Sequence, residues 1–211
     1  MSNKIHKIFS KAYVLGGSPC SGKSTIAGKL STQYGFEYYK VDDHEKSHMR
    51  RVQLDQHPVM SAYSQMSWDE IWMRSVALQV QEELDYYRER FEMIIADLLA
   101  YAENDPILLE GAAYLPELLV RNQFDPKRVL YMVPTKSFQV EHYSKRPWIK
   151  QILKDCTNPN QAFENWMARD FLFAQEIAKQ AKQYGYRVVT VAGNRNIETQ
   201  YAQVVEYLGL A

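Results

Sequence analysis

The run Gly17-Ser18-Pro19-Cys20-Ser21-Gly22-Lys23-Ser24, followed by Thr25, has the residue types and spacing that cradle a polyphosphate. The glycines let the backbone curl so that its N–H groups point inward and form a nest for anionic oxygens. Lys23 adds a point charge that can reach β- and γ-phosphates, and the Ser24 hydroxyl suits a Mg²⁺ ion. A helix opening at this point adds its positive N-terminal end. Such a loop must follow a buried strand and open a helix. Upstream, Ala12-Tyr13-Val14-Leu15 is a short apolar run ending at Gly16-Gly17. Downstream, Ile26, Ala27 and Leu30 recur at helical spacing, and Gly35 closes the segment.

Further candidates stand where apolar runs end. Asp42-Asp43-His44 offers two adjacent carboxylates, one to hold Mg²⁺ through water and one to accept a proton from an attacking hydroxyl. Adjacent residues point in different directions, so one is expected in the site and one aside. The plainer alternative is that both cap the next helix. His44 and His48 fall one helical turn apart, but no third and fourth metal ligand has recognisable spacing. Glu110-Gly111 gives an acidic group able to orient Mg²⁺ or its waters, and a glycine that permits close backbone approach. The alternative is a solvent-facing loop carboxylate. Beyond Pro134-Thr135-Lys136 lies a basic segment containing Lys145, Arg146 and Lys150, then Arg169. A guanidinium folding over a transferring phosphoryl group stabilises its equatorial charge, better than an ammonium can. Ordinary surface arginines are the competing reading. Gly193-Asn194-Arg195 could lie against an adenine base, with an amide from Asn194 and a stacking face from Arg195, or form a simple turn.

These residues need elements to hold them. Tyr13–Leu15, 36–41, Ile107–Leu109, Val129–Val133 and Arg187–Val191 read as buried parallel strands, with helical stretches between. That alternation predicts a doubly wound α/β sheet, in which ligands bind at the carboxyl ends of the strands. The stretch 44–103 is long for a crossover and reads as a helical insertion. Val76, Val80, Leu84, Tyr87, Phe91 and Leu98 share one face there, while Glu82, Glu83, Arg88 and Glu89 fall elsewhere. A second helical stretch runs from about Ser137 to Tyr184, broken near Asn158-Pro159-Asn160. A last helix covers about Ile197 to Leu208.

The chain has 211 residues, 46% of them hydrophobic, enough for one substantial core. Its 25 basic and 25 acidic residues cancel, so no overall field draws it to nucleic acid or membrane. No apolar run approaches the roughly 20 residues of a membrane span. The polar stretch Met1 to Lys11 lacks the apolar segment of a secretory signal. Cys20 and Cys156 lie far apart, and a disulfide at Cys20 would obstruct the phosphate loop. Reduced thiols and a cytoplasmic setting are therefore expected.

Together, Gly17 to Thr25, Asp42-Asp43, Glu110-Gly111, the Arg-bearing segment 145–170 and Gly193 resemble the P-loop kinases of the nucleoside-monophosphate-kinase type, a group that includes adenylate, shikimate and gluconate kinases. Leu108-Leu109-Glu110-Gly111 is similar to the strand end of uridine-kinase-like enzymes, where such a Glu assists the metal. Asp42-Asp43 resembles the strand-two end of small-metabolite kinases, whose Asp positions the accepting hydroxyl. The resemblance implies a P-loop NTPase fold of three α/β/α layers, with a five-stranded parallel sheet, a helical insertion over 44–103 and a helical lid over 137–184. The core would comprise 1–43, 104–136 and 185–211. ATP and Mg²⁺ would be the cofactors. Ser24, Asp42 and Glu110 would serve the metal. Asp42 or Asp43 would act on the acceptor, and Arg146 and Arg169 would close over the transferring group. The partner would be a small-molecule phosphate acceptor. Nucleoside-monophosphate kinases usually carry acceptor-binding arginines after strand two; Arg50, Arg51 and Arg74 are available but match no family motif, so the acceptor is unassigned. A nucleotide-binding switch or ATPase acting on a protein is the alternative. The absence of an Asn-Lys-x-Asp motif argues against a regulatory GTPase. Balanced charge gives no expectation about oligomeric state.

Overall fold

The computed structural model describes residues 3–101 and 105–210; the ends of the segments expected at 1–43, 44–103, 104–136 and 185–211 lie partly outside them. Five strands form one sheet: β1 (Tyr13–Gly17), β2 (Glu37–Lys40), β3 (Ile107–Glu110), β4 (Val129–Pro134) and β5 (Arg187–Val191). They run in the order β2-β3-β1-β4-β5, and every pairing is parallel. β3 and β4 are buried along their whole length, which is why they read as continuous apolar runs rather than alternating ones. Successive side chains still go to opposite faces. Val14, Leu109 and Val129 enter one core, while Leu15, Leu108 and Leu130 enter the other.

The second of these cores is closed by α2 (Lys23–Tyr34) through Ile26 and Leu30, and by α11 (Ile197–Tyr207) through Val204. The first is closed by α1 (Asn3–Lys11), α6 (Val76–Leu98), α7 (Pro116–Arg121) and α10 (Pro159–Gln183). The architecture is thus the expected three-layer α/β/α sandwich of P-loop type. Its central strand β1 lies between β3 and β4, at the point where strand order reverses and ligand crevices open.

Between β2 and β3, a 3₁₀ turn at Val41–His44 leads into α3 (Glu45–Met49), α4 (Pro58–Gln65), α5 (Trp68–Trp72) and α6. β2 is shorter than its apolar run because Val41 already begins that turn. The expected apolar stripe of α6 is present: Leu84, Phe91 and Leu98 are buried, with Val80 and Tyr87 packed beside them. Its start is fixed by Ser75, whose side chain accepts from the Leu78 N–H. After β4 come α8 (Lys136–Ser144), α9 (Pro147–Leu153) and α10, the last two each opening with proline in the first turn. A third apolar cluster joins Ile71 and Trp72 of α5 to Tyr143, Ile149 and Trp166. No helix among the described residues is long and apolar enough to cross a membrane.

Gly17 ends β1 at φ 122°, and a Cβ there would sit 2.0 Å from the Met132 carbonyl oxygen on β4. That neighbour is backbone and cannot swing aside. Gly17→Ala is expected to cost about 2–4 kcal/mol in urea unfolding; a loss within experimental error would show that the loop does not need this close approach.

Candidate active site

The phosphate loop runs from the end of β1 into α2. Gly22, in a left-handed conformation at φ 81°, is the N-cap of α2 and has no side chain to occupy the first N–H groups. No side chain caps those donors, and a helix N-terminus suits an anion. Cys20 is also left-handed, at φ 62°. Burial pushes its thiol up to about 11, against the pull of the Arg146 and Lys23 charges, so it is a neutral lining group. Both cysteines are free. The Lys23 ammonium is buried within the loop and donates to the Ser18 carbonyl at 2.7 Å. Burial lowers its pKa, and the carboxylates of Glu110 and Asp42 act against that shift. The buried Ser18 hydroxyl oxygen has no hydrogen-bond partner among the described residues. An orphan hydroxyl, open helix N–H groups and a buried ammonium at one mouth are the features a polyphosphate would satisfy.

Glu110 ends β3 beneath this loop and is buried. Burial raises its pKa, while Lys23 and the Tyr38 and Ser24 hydroxyls act in the opposite direction. Tyr38 donates to its Oε2 at 3.0 Å. Gly111 follows at φ 148°, and a Cβ there would strike Val41 Cγ1 at 2.0 Å. This glycine lets the ends of β2 and β3 meet, bringing Glu110 near the turn that carries Asp42. The two adjacent aspartates then part. Asp43 turns outward to Lys40 Nζ at 3.1 Å, and Asp42 faces a cavity. Ser24, Glu110 and Asp42 supply hard oxygen donors fit for Mg²⁺. Among the described residues no group of three His, Cys, Asp or Glu could cage a metal. That is the kind of site Mg²⁺ uses when phosphates and waters complete its shell.

Arg146 lies close enough to the loop for its charge to act on both Cys20 and Lys23. Its guanidinium rests over the rings of Tyr143 at 4.9 Å and Trp148 at 5.8 Å. Arg169, from α10, is buried over the Trp72 ring and sits 3.0 Å from Glu83 and 2.6 Å from Asp170. Gly193, Asn194 and Arg195 are exposed after β5, where Arg195 donates to Gln203. Gln200 links this turn to the phosphate loop: it donates to the Arg195 carbonyl, and its Oε1 lies 4.0 Å from where a Cβ on Gly22 would be.

The cavity beside Asp42 has a volume of about 620 Å³. Trp68, Trp148, Trp166, Tyr63, Tyr86 and Tyr87 form its aromatic lining. Its charged lining besides Asp42 is Glu45, Glu83, Arg90 and Arg169. Glu83 was expected on the polar side of α6, yet it is buried. The reason is a second row on that helix. Gln79, Glu83, Arg90 and Asp97 recur at helical spacing beside the apolar stripe; the first three are buried, Glu83 and Arg90 line the cavity, and Asp97 is half-buried against His48. Polar residues at i, i+4, i+11 and i+18 were the available sequence signal.

Arg90 organises this wall. It donates from Nη2 to the Val41 carbonyl at 2.7 Å and from Nε to His48 Nδ1 at 2.8 Å, and it pairs with Glu45. Glu45 also accepts from the Tyr86 hydroxyl. Because His48 Nδ1 accepts, its proton is on Nε2, directed at Asp97 Oδ2 at 2.8 Å. Burial and the Arg90 charge lower the His48 pKa, despite the opposing Asp97. Asp97 also accepts from Tyr39 and pairs with Arg51. His44 stacks on Tyr39 and lies 3.6 Å from the same carboxylate. The two histidines therefore share a carboxylate network.

No family model matches the chain, and no curated protein matches it. Solved structures are similar in fold. Deoxyadenosine kinase from M. mycoides with bound dCTP is 13% identical, with 95% of this chain and 99% of that one covered and a TM-score of 0.47. An uncharacterized protein from Eubacterium ventriosum ATCC 27560 is 11% identical over 96% and 99%, with a TM-score of 0.42. NadR protein in complex with NR is 16% identical over 99% of this chain and 55% of that one, with a TM-score of 0.40.

Arg90→Met removes a buried cation and strands Glu45, His48 and the Val41 carbonyl. It is expected to lower unfolding free energy by about 3–5 kcal/mol, as for other broken buried pairs. Urea melts of the variant and wild type check this; a change under about 1 kcal/mol would place the guanidinium in bulk water.

Proposed function

We propose that this chain is a phosphotransferase that moves the γ-phosphoryl group of ATP to a hydroxyl of an unphosphorylated small molecule. The observation that carries this reading is the place of Asp42. It lines the cavity, and its charge acts on Lys23 inside the phosphate loop. A carboxylate shared between a phosphate cradle and an acceptor-sized cavity suits a general base. A protein switch has no use for such a cavity. Both cavity arginines are already matched by carboxylates, Arg90 by Glu45 and Arg169 by Glu83 and Asp170. Neither is left to grip a phosphate on the acceptor, which argues for a hydroxyl rather than a nucleotide.

In this mechanism the loop N–H groups and Lys23 hold the β- and γ-phosphates. Ser24 and Glu110 would hold Mg²⁺, which when bound neutralises charge on the phosphates. Asp42 orients the acceptor hydroxyl and receives its proton. The segment α8–α9 acts as a lid: Arg146, braced on Tyr143 and Trp148, lies over the phosphate loop and stabilises the transferring group. Arg169 positions Glu83 and the wall. Trp148 and Trp68 exclude water from the reacting atoms. The turn 193–195, tied to the loop through Gln200, is the place for the base of the donor. A cytoplasmic setting follows from ATP as donor.

Lys23→Met should lower kcat/KM by about 10²–10³, the loss typical of one transition-state donor, with an unchanged circular dichroism spectrum. Near-normal turnover would refute the loop assignment. Asp42→Asn should reduce kcat by about 10²–10⁴. Asp43→Asn, whose carboxylate faces Lys40, should stay within about threefold, as an exposed pair does. The reverse ranking in a phosphate-transfer assay would make Asp43 the base.

A further inference from the structure

The lining of the acceptor cavity carries more negative than positive charge. Asp42, Glu45 and Glu83 stand against Arg90 and Arg169. Asp170, buried behind Arg169, adds another carboxylate, so that Arg169 faces two. Glu83 shows the consequence. It is 7% exposed and its Oε2 lies 3.0 Å from Arg169 Nε, yet that oxygen accepts no hydrogen bond. Burial, reinforced by Asp170, pushes its carboxyl up to about 7 against the pull of Arg169. Its other oxygen accepts from the Tyr87 hydroxyl at 3.2 Å, and the one guanidinium beside it is shared with Asp170. A buried carboxylate with one oxygen unbonded and a shared counter-charge is a costly arrangement, relieved by a cation in the space it faces.

The rest of the lining suits such a cation. Tyr63, Trp68, Tyr86, Trp148 and Trp166 present aromatic surface to the cavity, with Trp68 and Trp148 still 41% and 42% exposed at its mouth. Aromatic faces attract cations, most strongly where water is excluded. Rings of this region already do so: Arg74 lies 5.4 Å over Tyr63, Arg169 over Trp72 and Arg146 over Trp148. An acidic, aromatic cavity disfavours an anion and gives a neutral ring only stacking. A positive nitrogen gains from both terms.

We propose that the acceptor is a hydroxyl-bearing organic cation, its charged nitrogen held by the aromatic wall and Glu83 and its hydroxyl directed at Asp42. The phosphorylation of its hydroxyl rests on the function proposed above; the binding of the cation does not. In the transfer, the alcohol oxygen bonds to the γ-phosphorus as the bond to the bridging oxygen breaks. The alcohol proton passes to Asp42, and ADP leaves.

Matched pairs that differ only in charge test this. Choline is compared with its uncharged tert-butyl isostere, and N3-methylcytidine with cytidine. Binding is read from tryptophan fluorescence and calorimetry, and phosphate transfer from ATP is read separately. The cation of at least one pair should bind about tenfold or more tightly than its neutral partner, in line with a desolvated cation–π and carboxylate contact. In Glu83→Gln, checked for folding by circular dichroism, that preference should shrink to about threefold or less. Neutral partners binding as tightly as the cations in both pairs, or a preference unchanged in folded Glu83→Gln, would overturn the proposal. Phosphate transfer to neutral alcohols without cation preference would refute this inference and leave the kinase reading standing. Cation-selective binding without transfer from ATP to any member would do the reverse.

Discussion

A buried guanidinium must be matched on every side, and Arg90 is the group on which the site's geometry depends. Its partners are the Val41 carbonyl at the start of the turn after β2, a histidine on α3 and a glutamate on α3. Each contact fastens the segment after β2 to α6. That helix is itself clamped to the sheet by Leu84, Phe91, Ile94 and Leu98. The position of Asp42 is thus inherited from the sheet through α6 and Arg90. Asp97 secures the far end of the same segment, through His48, Tyr39 and Arg51. Removing either anchor would free a carboxylate whose use depends on where it points.

The phosphate side is fixed differently, by backbone shape. Gly17 passes within contact of β4, Gly22 starts α2 without a side chain, and Gly111 lets β2 and β3 converge under the loop. Here the constraint is steric and local, and it requires particular residues at particular positions. The acceptor side is a packing solution, assembled from α4, α5, α6, α9 and α10. Its rigidity comes from the Trp72–Trp166 stack at 4.0 Å and from ties such as Asn165 to the Trp72 carbonyl.

That difference explains what the sequence could disclose. The phosphate loop was legible because glycines, lysine and serine must be contiguous. The sheet was legible because strands buried on both faces read as apolar runs, and the strand-end places of Asp42 and Glu110 because they close such runs. The choice between Asp42 and Asp43 was not, since it turns on Lys40 taking one and Arg90 holding the turn. Glu83 was misplaced because a charge on a helix defaults to solvent; only its spacing from Gln79 and Arg90 betrays a second buried row. Nor could Trp148 and Trp166 be tied to Trp68 and Tyr63, which lie far away in sequence and meet only through tertiary packing.

The chain's zero net charge conceals a local division. Around the phosphate loop, Lys23, Arg146 and the start of α2 present positive charge. Across Asp42, carboxylates outnumber guanidiniums. A polyanionic donor is, on the function proposed above, attracted to one compartment and repelled from the other, with Asp42 on the boundary. On the proposed function this division enforces orientation before any contact specific to a substrate is made. A triphosphate entering the acceptor side would meet an excess of carboxylate over guanidinium, and like charges repel. Charge placement on this reading sorts donor from acceptor on either side of Asp42.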